Sequence, residues 1–105
     1  MEITDIKIRK FSSPESGRGR LRAVVSVTFD NELVVHDIKV IQNEHKRFIA
    51  MPSRQMEDGN YRDIVHPIHP EMRGKLQEAI LGKYAEVLEL AALELGRKDE
   101  LQKDF

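Results

Sequence analysis

Arg54 with Gln55, then Arg62, then Arg73 with Lys75 are the side chains of this 105-residue sequence best suited to gripping an anion. A guanidinium is a planar fork that makes two parallel hydrogen bonds to a phosphate or to the edge of guanine. The Gln amide pairs in the same two-point way with adenine. If these residues converge they form one nucleic-acid-binding surface; if they do not, they are a solvated charged surface. Arg18, Arg20 and Arg22 are a second cationic set, spaced so that on a strand all three share one face. They either follow a phosphate backbone or blunt an exposed strand, as charges on sheet edges do.

Other chemistries have less to draw on. Asp63-x-x-His66-x-x-His69 has metal-ligand residue types, but Pro67 and Pro70 stiffen the stretch, and three-residue spacing on extended chain sends successive side chains to opposite faces. No metal or cofactor is expected. His36, beside Asp37 in a predicted strand, reads as a structural histidine with its hydrogen bonds met. The sequence has no cysteine, which rules out disulfides, thiolate catalysis and cysteine-based zinc sites. It carries neither a Gly-rich phosphate loop nor a Gly-x-Ser-x-Gly elbow. Ser12, Ser13, Ser16, Ser26 and Ser53 have no adjacent base, and the carboxylate pairs Asp30/Glu32 and Glu57/Asp58 sit in turns, where they cap backbone groups. The expectation is a protein that is not an enzyme.

The elements that must position the arginines follow from periodicity. Ile6 and Ile8 alternate with Lys7 and Arg9, the pattern of a half-buried strand over Glu2 to Phe11. A polar loop from Ser12 to Gly17 precedes a second strand, in which Leu21, Ala23, Val25, Val27 and Phe29 line one face. Asp30-Asn31-Glu32 makes a tight turn into a third strand, Leu33 to Ile41, paired with the second as a hairpin. Phe48 to Met51 and Tyr61 to Val65 read as two further strands. Pro52 to Asn60, with Asp58-Gly59, reads as an arm projecting between them. After Pro70 the period lengthens: Met72, Leu76, Ile80, Tyr84, Val87 and Ala91 predict one amphipathic helix over 70–95, with Gly96 past its end. Gly74 and Gly82 lie inside that helix, where close packing on the sheet would explain them. The expected domain is thus residues 1–96, with strands in 1–67, and 97–105 form a loose tail.

The composition is that of a globular domain, 40% hydrophobic and 33% charged. The net charge of -1 conceals an asymmetry: residues 1–54 hold ten Lys/Arg against seven Asp/Glu, and residues 55–105 hold seven against eleven. Such a distribution steers an anion to one region without making the whole domain basic. No apolar window approaches the ~18 residues of a membrane span, and MEITDIKIRK lacks a signal peptide's apolar block. A cytoplasmic protein without membrane contact is expected.

Five blocks, MEITDIKIRK, DNELVVHDIKVI, FIAMPSR, DGNYRDIVHPI and RGKLQEAIL, in this order and at these spacings, resemble the stage V sporulation protein G (SpoVG) family over about residues 1 to 85. The loop Ser12 to Gly17, the stretch Gln42 to Arg47 and the tail lie outside the resemblance. It implies a bacterial cytoplasmic regulator that interferes with asymmetric septation in spore-formers and binds DNA, in some members RNA, as a homodimer. It also implies that the nucleic-acid contact is the basic loop after Met-Pro-Ser, with the helix start nearby. That loop usually continues Lys-Arg and a small polar residue; here it continues Arg54-Gln55-Met56, so one of two adjacent cations has become a neutral amide.

The fold expected is α+β: a five-stranded, mainly antiparallel sheet with a long C-terminal helix, homodimeric through sheet edges and the helix end. The expected partners are a second copy of the chain and DNA or RNA. The alternative is a protein-interaction regulator that docks on division or regulatory proteins without touching nucleic acid.

Overall fold

The structure, a computed structural model, describes residues 1–14 and 19–103, with side-chain surroundings as far as residue 93. Its elements are β1 (Ile3–Phe11), β2 (Leu21–Phe29), β3 (Leu33–Gln42), β4 (Arg47–Ala50), β5 (Ser53–Gln55), β6 (Tyr61–Asp63) and α1 (Pro70–Lys103). The first four make an antiparallel sheet in chain order, and β5 with β6 makes a separate two-stranded ribbon.

The α+β class and the antiparallel sheet stand as expected, but the sheet has four strands rather than five. Pro52 has no N–H to continue a ladder, so β4 ends before it. The Asp58-Gly59 turn then pairs Tyr61–Asp63 with its own neighbour Ser53–Gln55 instead of with the main sheet. Gly59 adopts φ +88°, Met56 N–H donates to the Asn60 carbonyl at 2.7 Å and Gly59 N–H to that of Met56 at 3.0 Å. The short-range closure forms a local hairpin inside what read as a loop.

The β2–β3 hairpin closes through Asp30 and Asn31, both at positive φ (51° and 55°), with Glu32 N–H donating to the Phe29 carbonyl at 2.9 Å. Asn and Asp tolerate that left-handed geometry better than other L-residues, and turns of this hand match strand twist. Asp30 also accepts from Glu2 N–H at 2.9 Å, tying the turn to the start of β1.

Ala23, Val25, Val27 and Phe29 of β2 are buried with Ile38 and Val40 of β3, Ile49 of β4 and Met51. Against them α1 lays Leu76, Ile80 and Tyr84, one turn apart on one stripe, flanked by Met72, Leu81 and Leu88. Leu21, read as the first member of the core row, is 40% exposed. The β2–β3 register shifts between Leu21 and Ala23, and Leu21 stands opposite Ile41 while Ala23 stands opposite Val40. A one-residue shift exchanges the faces of a strand, so Leu21 turns away from the helix and Arg22 takes a buried place.

β2 is an internal strand, so Arg22 does not blunt an edge as one reading of the arginine set supposed. Arg18 lies outside the described residues. Gly96 does not stop the helix, which continues to Lys103; one glycine costs only about 1 kcal/mol, and helix formers such as Leu95, Arg97 and Lys98 flank it. The part of the expected tail beyond Lys103 lies outside the described residues. Close packing does not account for Gly74 or Gly82, since a Cβ at either would meet nothing within 4 Å. No helix among the described residues is long and apolar enough to cross a membrane.

Tyr84 is the polar anchor of this core. Its ring lies 5.4 Å from that of Phe11, and its hydroxyl donates to the Ser12 carbonyl at 2.6 Å, fastening α1 to the end of β1. Burial raises the phenol above its ordinary 10.0, against the opposing pull of Arg47 and Arg22. The neutral form is thus favoured by folding, so its contribution is complete below pH 10.0 and is lost as pH rises through the raised value. Tyr84→Phe should cost about 1 kcal/mol at neutral pH and remove this alkaline loss, as read by urea unfolding from about pH 8 to about pH 11.

Candidate nucleic-acid interface

The β5–β6 ribbon carries the first cluster. Arg54 stands opposite Arg62, Gln55 opposite Tyr61 and Ser53 opposite Asp63, all six exposed. Directly paired side chains on an antiparallel ribbon have Cβ atoms roughly 5 Å apart, and like charges there repel. Two arginines at one rung therefore work against the ribbon's stability and place two cations side by side, on a hairpin that also carries Glu57, Asp58 and Asp63.

Gln55 Nε2 donates to the Gly59 carbonyl at 3.3 Å, so its amide already braces the turn. Asp58 caps the same turn, accepting from Asn60 N–H at 3.0 Å and from its side-chain amide at 3.3 Å.

The helix residues divide. Arg73 Nη2 donates to the Ile49 carbonyl at 3.3 Å while Gln77 Oε1 accepts from Ile49 N–H at 3.5 Å, so the two hold the edge strand β4 from the helix side. Arg73 is placed just before the chain enters the ribbon, but is engaged with backbone. Lys75 is elsewhere: it donates to the Met1 carbonyl at 3.2 Å and lines a groove between β1 and α1 with Glu2, Asp5 and Glu78. The helical rotation of 100° per residue puts side chains two apart on opposite sides, which is why the Arg73/Lys75 pair does not converge. The structure thus brings Arg54, Gln55 and Arg62 together, sets Arg73 at the foot of β4 and separates Lys75.

The open face of the main sheet supplies cations that spacing along the chain did not reveal. Lys10 and Lys39 both stand opposite Val24, from β1 and β3 respectively, and Lys7 stands opposite Ser26. Lys10, Leu21, Val24, Asp37 and Lys39 line one hollow with Pro52, Ser53 and Ile64, so the base of the ribbon adjoins this face. Tyr61, 69% exposed, offers a ring on the ribbon itself. Aromatic rings interleaved with arginines stack on bases. The one signal for it in the sequence was an aromatic residue next to Arg62 in a hairpin strand.

His36 is exposed, with its Nδ1 2.8 Å from Ser26 Oγ, which also accepts from Arg9 Nε at 3.5 Å. Asp37 beside it takes φ 63° at the register shift between β2 and β3. His66 Nδ1 is 3.1 Å from the Pro67 carbonyl. Among the described residues no three His, Asp or Glu side chains come together as metal ligands.

Comparison with known proteins supplies a family. The SpoVG family model matches residues 1–86. A protein of Acetivibrio thermocellus named "Putative septation protein SpoVG" is 60% identical over 87 residues, which is 83% of this chain and 88% of that one. Proteins of the same name from Lachnoclostridium phytofermentans and Thermoanaerobacter sp. are 56% and 53% identical over 94 and 92 residues, covering 90% and 88% of this chain and 92% and 96% of theirs.

The opposed arginines predict a local cost. In Arg54→Thr, amide hydrogen exchange across the ribbon should slow at low ionic strength, by an amount equivalent to a few tenths of a kcal/mol, and the gain should shrink in about 1 M salt.

Proposed function

The chain belongs to the SpoVG family, and from that premise we propose that it is a cytoplasmic regulatory protein that binds DNA or RNA as a homodimer. The observation that carries this reading is the exposed Arg54/Arg62 rung on the ribbon after Met51-Pro52-Ser53, the loop in which the family resemblance places the contact. Arg54 and Arg62 grip phosphate, the Tyr61 ring stacks on a base, and Lys10 and Lys39 extend the charged track onto the sheet. Gln55 keeps one amide N–H and Oε1 for a two-point contact with adenine while its other N–H stays on the Gly59 carbonyl, so its role is selective rather than electrostatic.

A homodimer agrees with what the single chain leaves uncovered. β4 pairs with β3 only over Lys39–Gln42, so the outer side of the first half of β3 has no strand beside it, and Leu33 and Val34 there are 49% and 44% exposed. Unpaired strand edges bearing apolar side chains call for a partner. Exposed Leu90 and Leu93, on the part of α1 beyond the core stripe, and the acidic second half of the chain favour the alternative, a regulator that docks on another protein.

Fluorescence anisotropy with duplex DNA and single-stranded RNA from about 50 to 200 mM salt tests the reading. Saturable binding should weaken steeply with salt, and Arg54→Ala should lower the salt slope by about one while Lys75→Ala leaves it unchanged. No binding to either polymer at low salt overturns the reading in favour of the protein-docking one. Light scattering should give a particle of twice the 12.1 kDa chain mass.

A further inference from the structure

At the end of the sheet away from the β2–β3 turn, Arg20, Arg22, Gln42, Asn43, Glu44 and His45 line an open pocket of about 600 Å³. Arg22 is only 8% exposed. Its Nε donates to Gln42 Oε1 at 3.4 Å, and its Nη1 to the Gly19 and Leu21 carbonyls at 3.2 and 3.4 Å. Arg47 donates from its own Nε to the same Gln42 Oε1 at 3.3 Å, while its guanidinium lies over the Tyr84 ring, 4.7 Å from the centroid.

Two guanidiniums therefore share one neutral acceptor atom, and neither meets a carboxylate among the described residues. A buried or half-buried cation is normally matched by an anion; here the partners are neutral, Gln42, the Gly19 and Leu21 carbonyls and the Tyr84 ring, so the hydrogen bonds are met but the two charges are not offset. Arg20, exposed on the rim, aims a third cation at the same hollow, and its backbone carbonyl is held by Gln42 N–H at 2.8 Å. The opposite rim is rigid: Asn43 Oδ1 accepts from the N–H groups of His45 and Lys46 at 2.9 and 2.8 Å. Among the described residues Glu44 is the one carboxylate lining the pocket, and it is exposed.

We propose that Arg20 and Arg22 form an anion site that takes a phosphate group, with Arg47 adding positive charge from behind Gln42. Arg22 is pre-positioned by Gln42 and the Gly19 and Leu21 carbonyls, and Arg47 by Gln42 and the Tyr84 ring, so little side-chain freedom remains to be lost when a tetrahedral oxyanion enters the pocket. The site does not depend on the ribbon's binding nucleic acid: the phosphate is either a free ion or a phosphodiester of a strand.

The test is an NMR titration of the full chain with inorganic phosphate at constant ionic strength, with chloride as the control, following the amides of residues 19–22 and 42–47. Saturable shifts are expected for phosphate and not for chloride. Affinity should fall about tenfold or more in Arg20→Ala, less steeply in Arg47→Gln, and should rise in Glu44→Gln. Arg20 is exposed, so its variant keeps the test valid if Arg47→Gln unfolds. Shifts of equal size with chloride, or unchanged in Arg20→Ala, overturn the site. In the parallel anisotropy assay, a lower salt slope for Arg20→Ala identifies the phosphate as that of a nucleic acid, and an unchanged slope identifies it as a free ion. Phosphate binding without nucleic-acid binding would sink the proposed function and leave the site standing.

Discussion

The covering of one face of β2 by one stripe of α1 is the constraint on which the rest of the structure depends. Val25, Val27, Ile38, Val40, Ile49, Leu76, Ile80 and Tyr84 are all fully buried. Each is worth roughly 1.5–3 kcal/mol when taken out of water, so this contact outweighs any polar interaction described above. A chain of this size has one such core, and everything not needed to build it is free to serve the surface.

The consequences run outward from that layer. Because the helix occupies one face of a single sheet, the other face stays open, and the residues alternating with the core row are displayed there: Lys7, Lys10 and Lys39 around Ser26 and Val24. Because the helix crosses beside β4, Arg73 and Gln77 occupy the polar groups of Ile49, and that edge is held by its own chain. The ribbon is the one strand pair that contributes nothing to the core. Its exposed arginine rung is a local expense of stability, a feature more intelligible as recognition than as architecture.

The two cationic regions differ in kind. On the ribbon, Arg54 and Arg62 are exposed; at the far end of the sheet, Arg22 is held by Gln42 and Arg47 by Gln42 and the Tyr84 ring. Tyr84 links that fixed pair to the core, since the same ring that fills the interior fastens Ser12 and carries Arg47 above it. An exposed pair suits varied strand geometry, whereas a held pair suits one compact anion.

The sequence by itself determined the element types, the hairpin at Asp30-Asn31, the helix stripe and the family blocks, because each depends on residues close in the chain or on a period of two or 3.6. It also marked the arm carrying Arg54 and Arg62, since Asp58-Gly59 and Pro52 act locally. What it did not determine was which strands become neighbours. The count of four strands plus a ribbon, the flip of Leu21 and Arg22, the alignment of Lys10 with Lys39, the separation of Lys75 and the meeting of Arg22 with Arg47 all depend on register between distant segments. Register is settled by which faces can be buried together, a balance summed over the whole core, and a one-residue shift in it reverses every side chain that follows.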